Sequence, residues 1–206
     1  MKYREILLEQ LKPYPYFDRE TISQISKQYG LKSSTVNSYI SRSLARKDII
    51  QLKKGLYVSA DFYNNNKSDI SYSFYLANIL RTPSYVSSWT ALEYYNLVTD
   101  VIHTITSVTP KITKNYAAKV GSFEYHSIKK ELFSGFSLIK GKFDFFLASP
   151  SKALFDLLYF KTRQLRGVKI KEINALIREL RVDIDEMEKP EKEKLFAMIK
   201  KYIRHE

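Results

Sequence analysis

The stretch from Asp18 to Ser59 constrains the fold of this chain more than any other. It predicts two short helices that are joined by a tight turn. Asp18 is a favourable N-cap for the first helix, and Gly30 favours the end of that helix because it tolerates the left-handed conformation. Ser33 or Ser34 is the predicted N-cap of the second helix. The first half of the stretch therefore predicts a helix, a turn and a second helix in quick succession.

The second half of the stretch predicts a small β-hairpin. Mostly apolar residues occupy 49–52 (IIQL) and 56–58 (LYV), and Lys53, Lys54 and Gly55 lie between them. Glycine permits the backbone conformation that a tight hairpin turn needs, so the two lysines are expected at the tip. Two helices followed by a basic hairpin are the pattern of a winged helix-turn-helix. An amphipathic helix predicted over residues 2–12 completes a domain that is expected to span residues 1–60.

The second predicted helix has two chemically different faces. Val36, Ile40 and Leu44 share one face, and small polar residues with Arg42 occupy the other. A helix that enters a DNA major groove needs short side chains for close approach and a few donors for the base edges. The residues predicted to contact DNA are Lys32, Ser33, Ser34, Thr35, Asn37, Ser38, Ser41, Arg42, Arg46, Lys53, Lys54 and Tyr57.

The distribution of charge favours the same interpretation. The chain has 34 basic and 22 acidic residues, for a net charge of +12. Between Lys27 and Lys54 there are seven basic residues and one acid, Asp48, so this window holds +6 of that excess. A basic patch around a helix and a hairpin is typical of proteins that bind the phosphate backbone of double-stranded DNA. The alternatives are a solvated face, or a protein-interaction module that uses the winged helix to dock or dimerise with an acidic partner.

Composition argues against several other classes of protein. There is no cysteine, which excludes disulfides and thiolate zinc sites. The three histidines, His103, His126 and His205, lack metal-ligand spacing, and no phosphate-binding glycine loop is present. We therefore predict no enzyme activity and no cofactor. The N-terminus is not a signal peptide and no apolar run is long enough to span a bilayer, which predicts a soluble, cytoplasmic protein.

Residues 69–206 are predicted to form a second domain, separated from the first by the polar segment 61–68. An apolar helix is expected from Asp69 to the residues before Pro83. Alternating segments then predict strands, Ser149 and Pro150 open another helix, and two more helices follow. The predicted fold is α+β, with an N-terminal winged helix-turn-helix and a mixed C-terminal domain that has a small, mostly antiparallel sheet.

Three segments in this second half resemble a known family. They are 76–87 (LANILRTPSYVS), 90–95 (TALEYY) and 148–159 (ASPSKALFDLLY). Together with a preceding hairpin that ends in KGLYV, their order resembles the AbiEi antitoxin family, over about residues 1–167. The motif residues are Ser84, Tyr85, Ser87, Lys152 and Asp156. Asn96 and Ser151 depart from the usual family pattern.

The resemblance implies a bifunctional protein of a type IV toxin–antitoxin or abortive-infection system. Its N-terminal domain is expected to bind inverted repeats in its own promoter as a transcriptional repressor, with several copies on the operator. Its C-terminal domain is expected to oppose a nucleotidyltransferase-like toxin.

Two features of the second domain leave alternatives open. Lys152 and Asp156 stand four residues apart, so they form either an ion pair within the helix or a contact with a partner. A second basic run either contacts DNA or the toxin, or is solvated surface. Its members are Lys161, Arg163, Arg166, Lys169 and Lys171.

Overall fold

The computed structural model describes residues 3–202. Within this range the chain forms two compact units. The first comprises residues 3–72 and 116–121, and the second comprises residues 73–115 and 122–202. Helices and sheets occur in both units, so the fold is mixed α+β, as predicted.

The first unit begins with three helices and a small sheet. These elements are α1 (Tyr3–Leu11), β1 (Phe17–Asp18), α2 (Arg19–Gln28), α3 (Ser33–Ala45), β2 (Ile49–Lys53), β3 (Leu56–Ser59) and α4 (Ala60–Asn66). The sheet has the order β1-β3-β2, and both of its pairings are antiparallel. The two helices, the turn and the hairpin predicted between Asp18 and Ser59 are therefore present.

Local chemistry accounts for both ends of α2 but not for the start of α3. The Asp18 carboxylate accepts a hydrogen bond from the Thr21 amide at 2.8 Å, which confirms the predicted cap of α2. Gly30 has a φ of +65°, as expected for the residue that ends this helix. The predicted serine cap of α3 is wrong. Lys32 is the extended residue before the helix, and its side chain makes no capping bond.

The core of the first unit lies between the three helices and the sheet. It explains the apolar periodicity of α1 to α3, because one face of each helix is buried. The buried residues of this core are Leu7, Leu11, Phe17, Ile22, Val36, Ile40, Ile49 and Tyr57.

The predicted linker is part of the folded first unit. Residues 61–66 belong to α4, whose N-cap Ser59 accepts a hydrogen bond from the Phe62 amide at 3.0 Å. Phe62 also packs against Tyr72, and the Tyr72 hydroxyl donates to the Pro15 carbonyl at 2.8 Å. Polar composition alone predicts a domain boundary at this segment. These contacts lie within the first unit, which continues to residue 72.

A second sheet and five more α-helices follow in the described chain, and apart from residues 70–72 and 116–121 they belong to the second unit. The elements from residue 70 onward are α5 (Ile70–Leu80), β4 (Tyr85–Val86), α6 (Ser88–Tyr94), β5 (Thr104–Thr109), β6 (Lys114–Ala118), β7 (Gly121–Ser127), a 3₁₀ turn (Lys130–Leu132), β8 (Phe136–Ile139), β9 (Phe145–Ala148), α7 (Pro150–Lys161), α8 (Ile170–Glu179) and α9 (Lys189–Tyr202). The predicted cap at Ser149 is confirmed, since its hydroxyl accepts from the Lys152 amide.

The sheet of the described residues has six strands in the order β6-β7-β5-β4-β9-β8. Its pairings β4–β9 and β5–β7 are parallel, whereas β4–β5 and β8–β9 are antiparallel. The sheet is therefore mixed, with two antiparallel and two parallel pairings among these four, and it has six strands where the prediction is a small, mostly antiparallel sheet. Alternation of apolar and polar residues identifies a strand but carries no information about the direction of its neighbour.

Helices cover both faces of this sheet. On one face, Phe74 of α5 packs edge-on against Phe145 at 5.2 Å. On the same face, the Tyr125 hydroxyl donates to the Ala77 carbonyl of α5. On the other face, Tyr85 of β4 reaches α7 through a hydrogen bond to Asp156.

Candidate nucleic-acid interface

One exposed stripe runs along α3. Its residues recur at intervals of three and four, which places them on a single face of the helix. The opposite face is fixed in the core by Val36, Ile40 and the buried Ser43. The stripe consists of Ser34, Asn37, Ser38, Ser41, Arg42 and Ala45, all of which are exposed.

Most of the predicted DNA-contacting residues are accessible. The exposed ones are Lys32, Ser33, Ser34, Asn37, Ser38, Ser41, Arg42, Arg46 and Lys54. Thr35 and Lys53 are half-buried. The Ser38 hydroxyl donates to the Ser34 carbonyl at 3.1 Å, so in this conformation it presents an acceptor to an incoming ligand.

Tyr57 is the exception, and its prediction as a DNA contact is wrong. It is 3% exposed and stacks on Phe17 with ring centroids 6.2 Å apart. Its strand β3 lies between β1 and β2, and all four residues of β3 are buried. A central strand with both faces covered has no side chain free for a ligand.

The charge around the exposed stripe is unneutralised. We call the exposed residues Lys27, Lys32, Arg42, Arg46, Lys47 and Lys54 the basic surface. Within residues 3–202 no ion pair involves any of these six. Asp48, the one acid in this window, lies 3.9 Å from the Arg4 guanidinium instead. The first turn of α3 also carries no acid. The arrangement suits an anionic ligand that follows the helix and the hairpin.

Neither a scan of protein-family models nor a search of curated proteins finds a match for this chain. Function must therefore be inferred from the residues of the chain itself.

The second unit contains a buried charge cluster, which we define as Lys152, Asp156, Tyr85 and Ser87. Lys152 and Asp156 of α7 are 2% and 0% exposed, and they form an ion pair. The other oxygen of Asp156 accepts from the Ser87 hydroxyl at 2.7 Å and from the Tyr85 hydroxyl at 3.0 Å. Of the two alternatives for Lys152 and Asp156, the structure shows the ion pair within the helix.

Packing around Lys152 explains how a lysine is accommodated there. Its ammonium group lies 5.1 Å from the ring centroid of Phe155 and 5.8 Å from that of Tyr85, which are cation–π distances. Its aliphatic stem passes so close to Gly135 that a β-carbon at that position would lie 3.1 Å from the Lys152 Cγ. Gly135 also has a φ of +76°, so this site disfavours any larger residue on two grounds.

The environment shifts the ionisation of the cluster. Burial raises the pKa of Asp156, and the Lys152 ammonium and the two hydroxyls oppose this shift. Burial and the neighbouring Asp156 charge raise the pKa of Tyr85, which keeps its hydroxyl protonated as a donor. The cluster is closed to solvent, so its members hold β4, the start of α6 and α7 together.

Sequence reasoning selected these four motif residues but missed their connection. Tyr85 and Ser87 are 71 and 69 positions from Asp156, and no local spacing links residues so far apart. The fifth motif residue, Ser84, does not join them. It is buried, and its hydroxyl has no hydrogen-bond partner within the described residues.

The other predicted features lie on the surface. All five members of the second basic run, residues 161–171, are exposed. His126 stacks on Phe160 and lies 3.6 Å from Glu124, and His205 lies outside the described residues. Among residues 3–202 no group of histidine and carboxylate side chains is arranged to hold a metal ion. In the same range, no helix has the length and apolar character required to cross a bilayer.

Proposed function

We propose that this protein is a DNA-binding antitoxin and transcriptional autorepressor of the AbiEi type, and that its first unit is a winged helix-turn-helix. One observation carries the DNA-binding part. The exposed stripe of α3 is small and polar, and the basic surface around it contains six cations that have no ion-pair partner among residues 3–202. In this proposal α3 enters the major groove and the β2–β3 hairpin contacts the adjacent backbone.

In this proposal the exposed cations of the basic surface supply most of the binding free energy. Each exposed lysine or arginine that neutralises a phosphate releases condensed counterions, which supplies binding free energy at low salt. Arg42 lies on the stripe in the last turn of α3, and its fork of donors suits the two acceptors on a guanine edge. Lys54 lies at the hairpin turn and suits a phosphate contact. This proposal therefore predicts that Arg42 discriminates between DNA sequences, whereas Lys54 and the other exposed cations bind any sequence alike.

The docking alternative has weaker support. Protein-binding surfaces are usually anchored by aromatic or large apolar side chains. The exposed stripe of α3 has no such side chain. The aromatic residue of this helix, Tyr39, lies outside the stripe and is half-buried against the core. The stripe is therefore better suited to a polar groove than to an apolar pocket.

The antitoxin part rests on the resemblance of residues 76–95 and 148–159. Four of the motif residues form the buried charge cluster, as expected if the motif maintains the fold of the second unit. In this proposal the groups that oppose the toxin lie elsewhere on the surface of that unit.

Binding of DNA from the region upstream of the gene tests the first part. With about six phosphate contacts, affinity should fall roughly a thousandfold between about 50 and 200 mM salt. Lys54→Ala should weaken binding to operator and random DNA alike, whereas Lys189→Ala, an equal loss of charge on the second unit, should leave both unchanged. Binding that is insensitive to salt, or equally reduced by both substitutions, would contradict the proposal.

Co-expression tests the second part. The adjacent reading frame, if it encodes a nucleotidyltransferase-like protein, is expressed with the full chain or with the Arg42→Ala/Lys54→Ala variant. We expect the variant to lose repression and to retain rescue of growth, because the second unit is unchanged. Loss of rescue together with DNA binding would show that protection acts through repression and would refute the proposed division of roles.

A further inference from the structure

A groove of about 500 Å³ lies beside the β2–β3 hairpin in the first unit. One side is formed by β2 and the hairpin turn, and the last turn of α3 reaches it through Leu44. The other side is formed by Ala117, Ala118 and Lys119. These three residues belong to the first unit, although they follow the hairpin at a long distance in the sequence. The groove is therefore formed by segments that meet only in the folded chain.

The groove runs along the outer edge of the hairpin. Every residue from Ile49 to Lys54 lines it, whereas no residue of β3 does. Successive side chains of a strand point to opposite faces of a sheet, so a groove that touches all of them lies along the edge of the strand. In the sheet order β1-β3-β2, that edge is the one away from β1.

Two hairpin tips line this groove, and each has a lysine at the same position. The turn between β2 and β3 consists of Lys54 and Gly55, and the turn between β6 and β7 consists of Lys119 and Val120. A connection of two residues is a hairpin, because parallel strands need a much longer one. Val120 is 9% exposed, so the second tip is anchored by a buried side chain beside its lysine.

The groove is cationic and open. Lys53, Lys54 and Lys119 line it, and none of the described residues that line it is acidic. Lys54 and Lys119 are exposed, and neither forms an ion pair within residues 3–202. Like charges around one groove repel each other, and an anion between them removes that repulsion. The short side chains of Ala117 and Ala118 leave room for such a ligand.

We propose that Lys119 contacts the phosphate backbone of double-stranded DNA, and that the β6–β7 tip is a second basic hairpin of the DNA-binding surface. The inference rests on the proposed DNA-binding function and extends it to residues 116–121. Lys54 belongs both to the basic surface around α3 and to this groove. A DNA strand that follows the basic surface past Lys54 therefore meets Lys119, which favours DNA over a separate acidic protein as the occupant.

The salt dependence of DNA binding by the full chain tests this inference. Each neutralised phosphate contributes about 0.9 to the slope of log affinity against log salt concentration. Lys119→Ala should therefore lower that slope by about 1. It should also weaken binding to operator and random DNA alike, by roughly threefold to fivefold at low salt. Lys119→Arg should preserve both quantities, and Lys189→Ala, an equal loss of charge on the second unit, should change neither.

Substitution of an alanine gives an independent test that removes no existing side-chain contact. Ala117 is exposed and lines the groove. Ala117→Lys should tighten binding to both DNAs and raise the salt slope by about 1, whereas Ala117→Glu should weaken binding to both. Val101→Lys is the matched control, because it adds the same charge at an exposed residue of the second unit, and it should leave the slope unchanged.

Two results would overturn this inference and leave the proposed function intact. The first is an unchanged slope in Lys119→Ala and in both Ala117 variants, while Lys54→Ala and Arg42→Ala still weaken DNA binding. The second is unchanged DNA affinity of Lys119→Ala together with loss of binding to inorganic pyrophosphate or polyglutamate, which would assign the groove to a small anion or to an acidic protein. DNA binding that is indifferent to Lys54→Ala and Arg42→Ala as well would refute the proposed function itself.

Discussion

Removal of the Lys152 ammonium group offers the sharpest test of how the second unit is held together. Lys152→Met keeps an unbranched side chain of similar reach but leaves the Asp156 carboxylate without its cation. Breaking a buried ion pair by deleting one partner usually costs about 3–5 kcal/mol. A folded domain is typically stable by about 5–15 kcal/mol, so the variant should lose a large share of its free energy of unfolding.

The remaining contacts of Asp156 set the size of the effect. Ser87 and Tyr85 still donate to the carboxylate, which favours the lower part of that range. Replacing the whole buried charge cluster by apolar residues should cost less than the single substitution. The quadruple variant Lys152→Met/Asp156→Leu/Tyr85→Phe/Ser87→Ala removes every side-chain donor and acceptor of the cluster together, so none of them is left without its partner.

The loss should also depend on pH. Burial raises the pKa of Asp156, and loss of the ammonium group removes the strongest opposing influence. A carboxyl whose pKa is higher in the folded state takes up its proton more readily there. The free energy of unfolding of Lys152→Met should therefore increase as the pH falls from 7 toward 3.8, the ordinary pKa of an aspartate in the unfolded chain.

Urea unfolding at about pH 7 and pH 5 is the appropriate measurement. The slope of the free energy of unfolding against urea concentration checks that the variant still unfolds in two states. The single tryptophan, Trp89, lies in α6, so its fluorescence reports on the second unit. A loss below about 1 kcal/mol with no dependence on pH would refute the reasoning, since it would mean that Asp156 is already neutral or solvated.

Three further outcomes are expected. Arg42→Ala should cost about 1–3 kcal/mol on operator DNA and much less on random DNA; equal losses on both in a titration would make Arg42 a phosphate contact. Gly135→Ala should lower the melting temperature, because its β-carbon meets the stem of Lys152, whereas an unchanged calorimetric transition would show that the stem moves freely. Burial alone would raise the pKa of Glu191, but hydrogen bonds from Lys194 and Ser151 lower it to about 2. The stability that this carboxylate contributes is complete above its usual pKa of 4.5 and is lost as the pH falls through about 2, so Glu191→Gln should flatten the acid limb of urea-unfolding profiles.

Sequence alone was sufficient for the three helices α1 to α3 and for the β2–β3 hairpin of the first unit. Their ends are set by contacts over a few residues, such as the bond from the Thr21 amide to Asp18 and the left-handed backbone at Gly30. Periodicity then assigned the buried and exposed faces of α3 correctly, because helix geometry fixes which residues share a face. The accessible members of the predicted DNA-contacting set follow from these local rules.

Only the tertiary structure decided the features that join distant residues. Tyr57 is buried because β3 lies between two strands. One of them is β1, whose residue Phe17 is the register partner of Tyr57 although it lies forty positions earlier in the chain. The segment 61–66 is held in the first unit by the packing of Phe62 against Tyr72. Strand directions in the sheet, the hydroxyls that surround Asp156 and the position of Lys119 beside the hairpin depend in the same way on which segments meet in the folded chain. Spacing along a sequence records local geometry, whereas these contacts form only when segments far apart in the chain pack together.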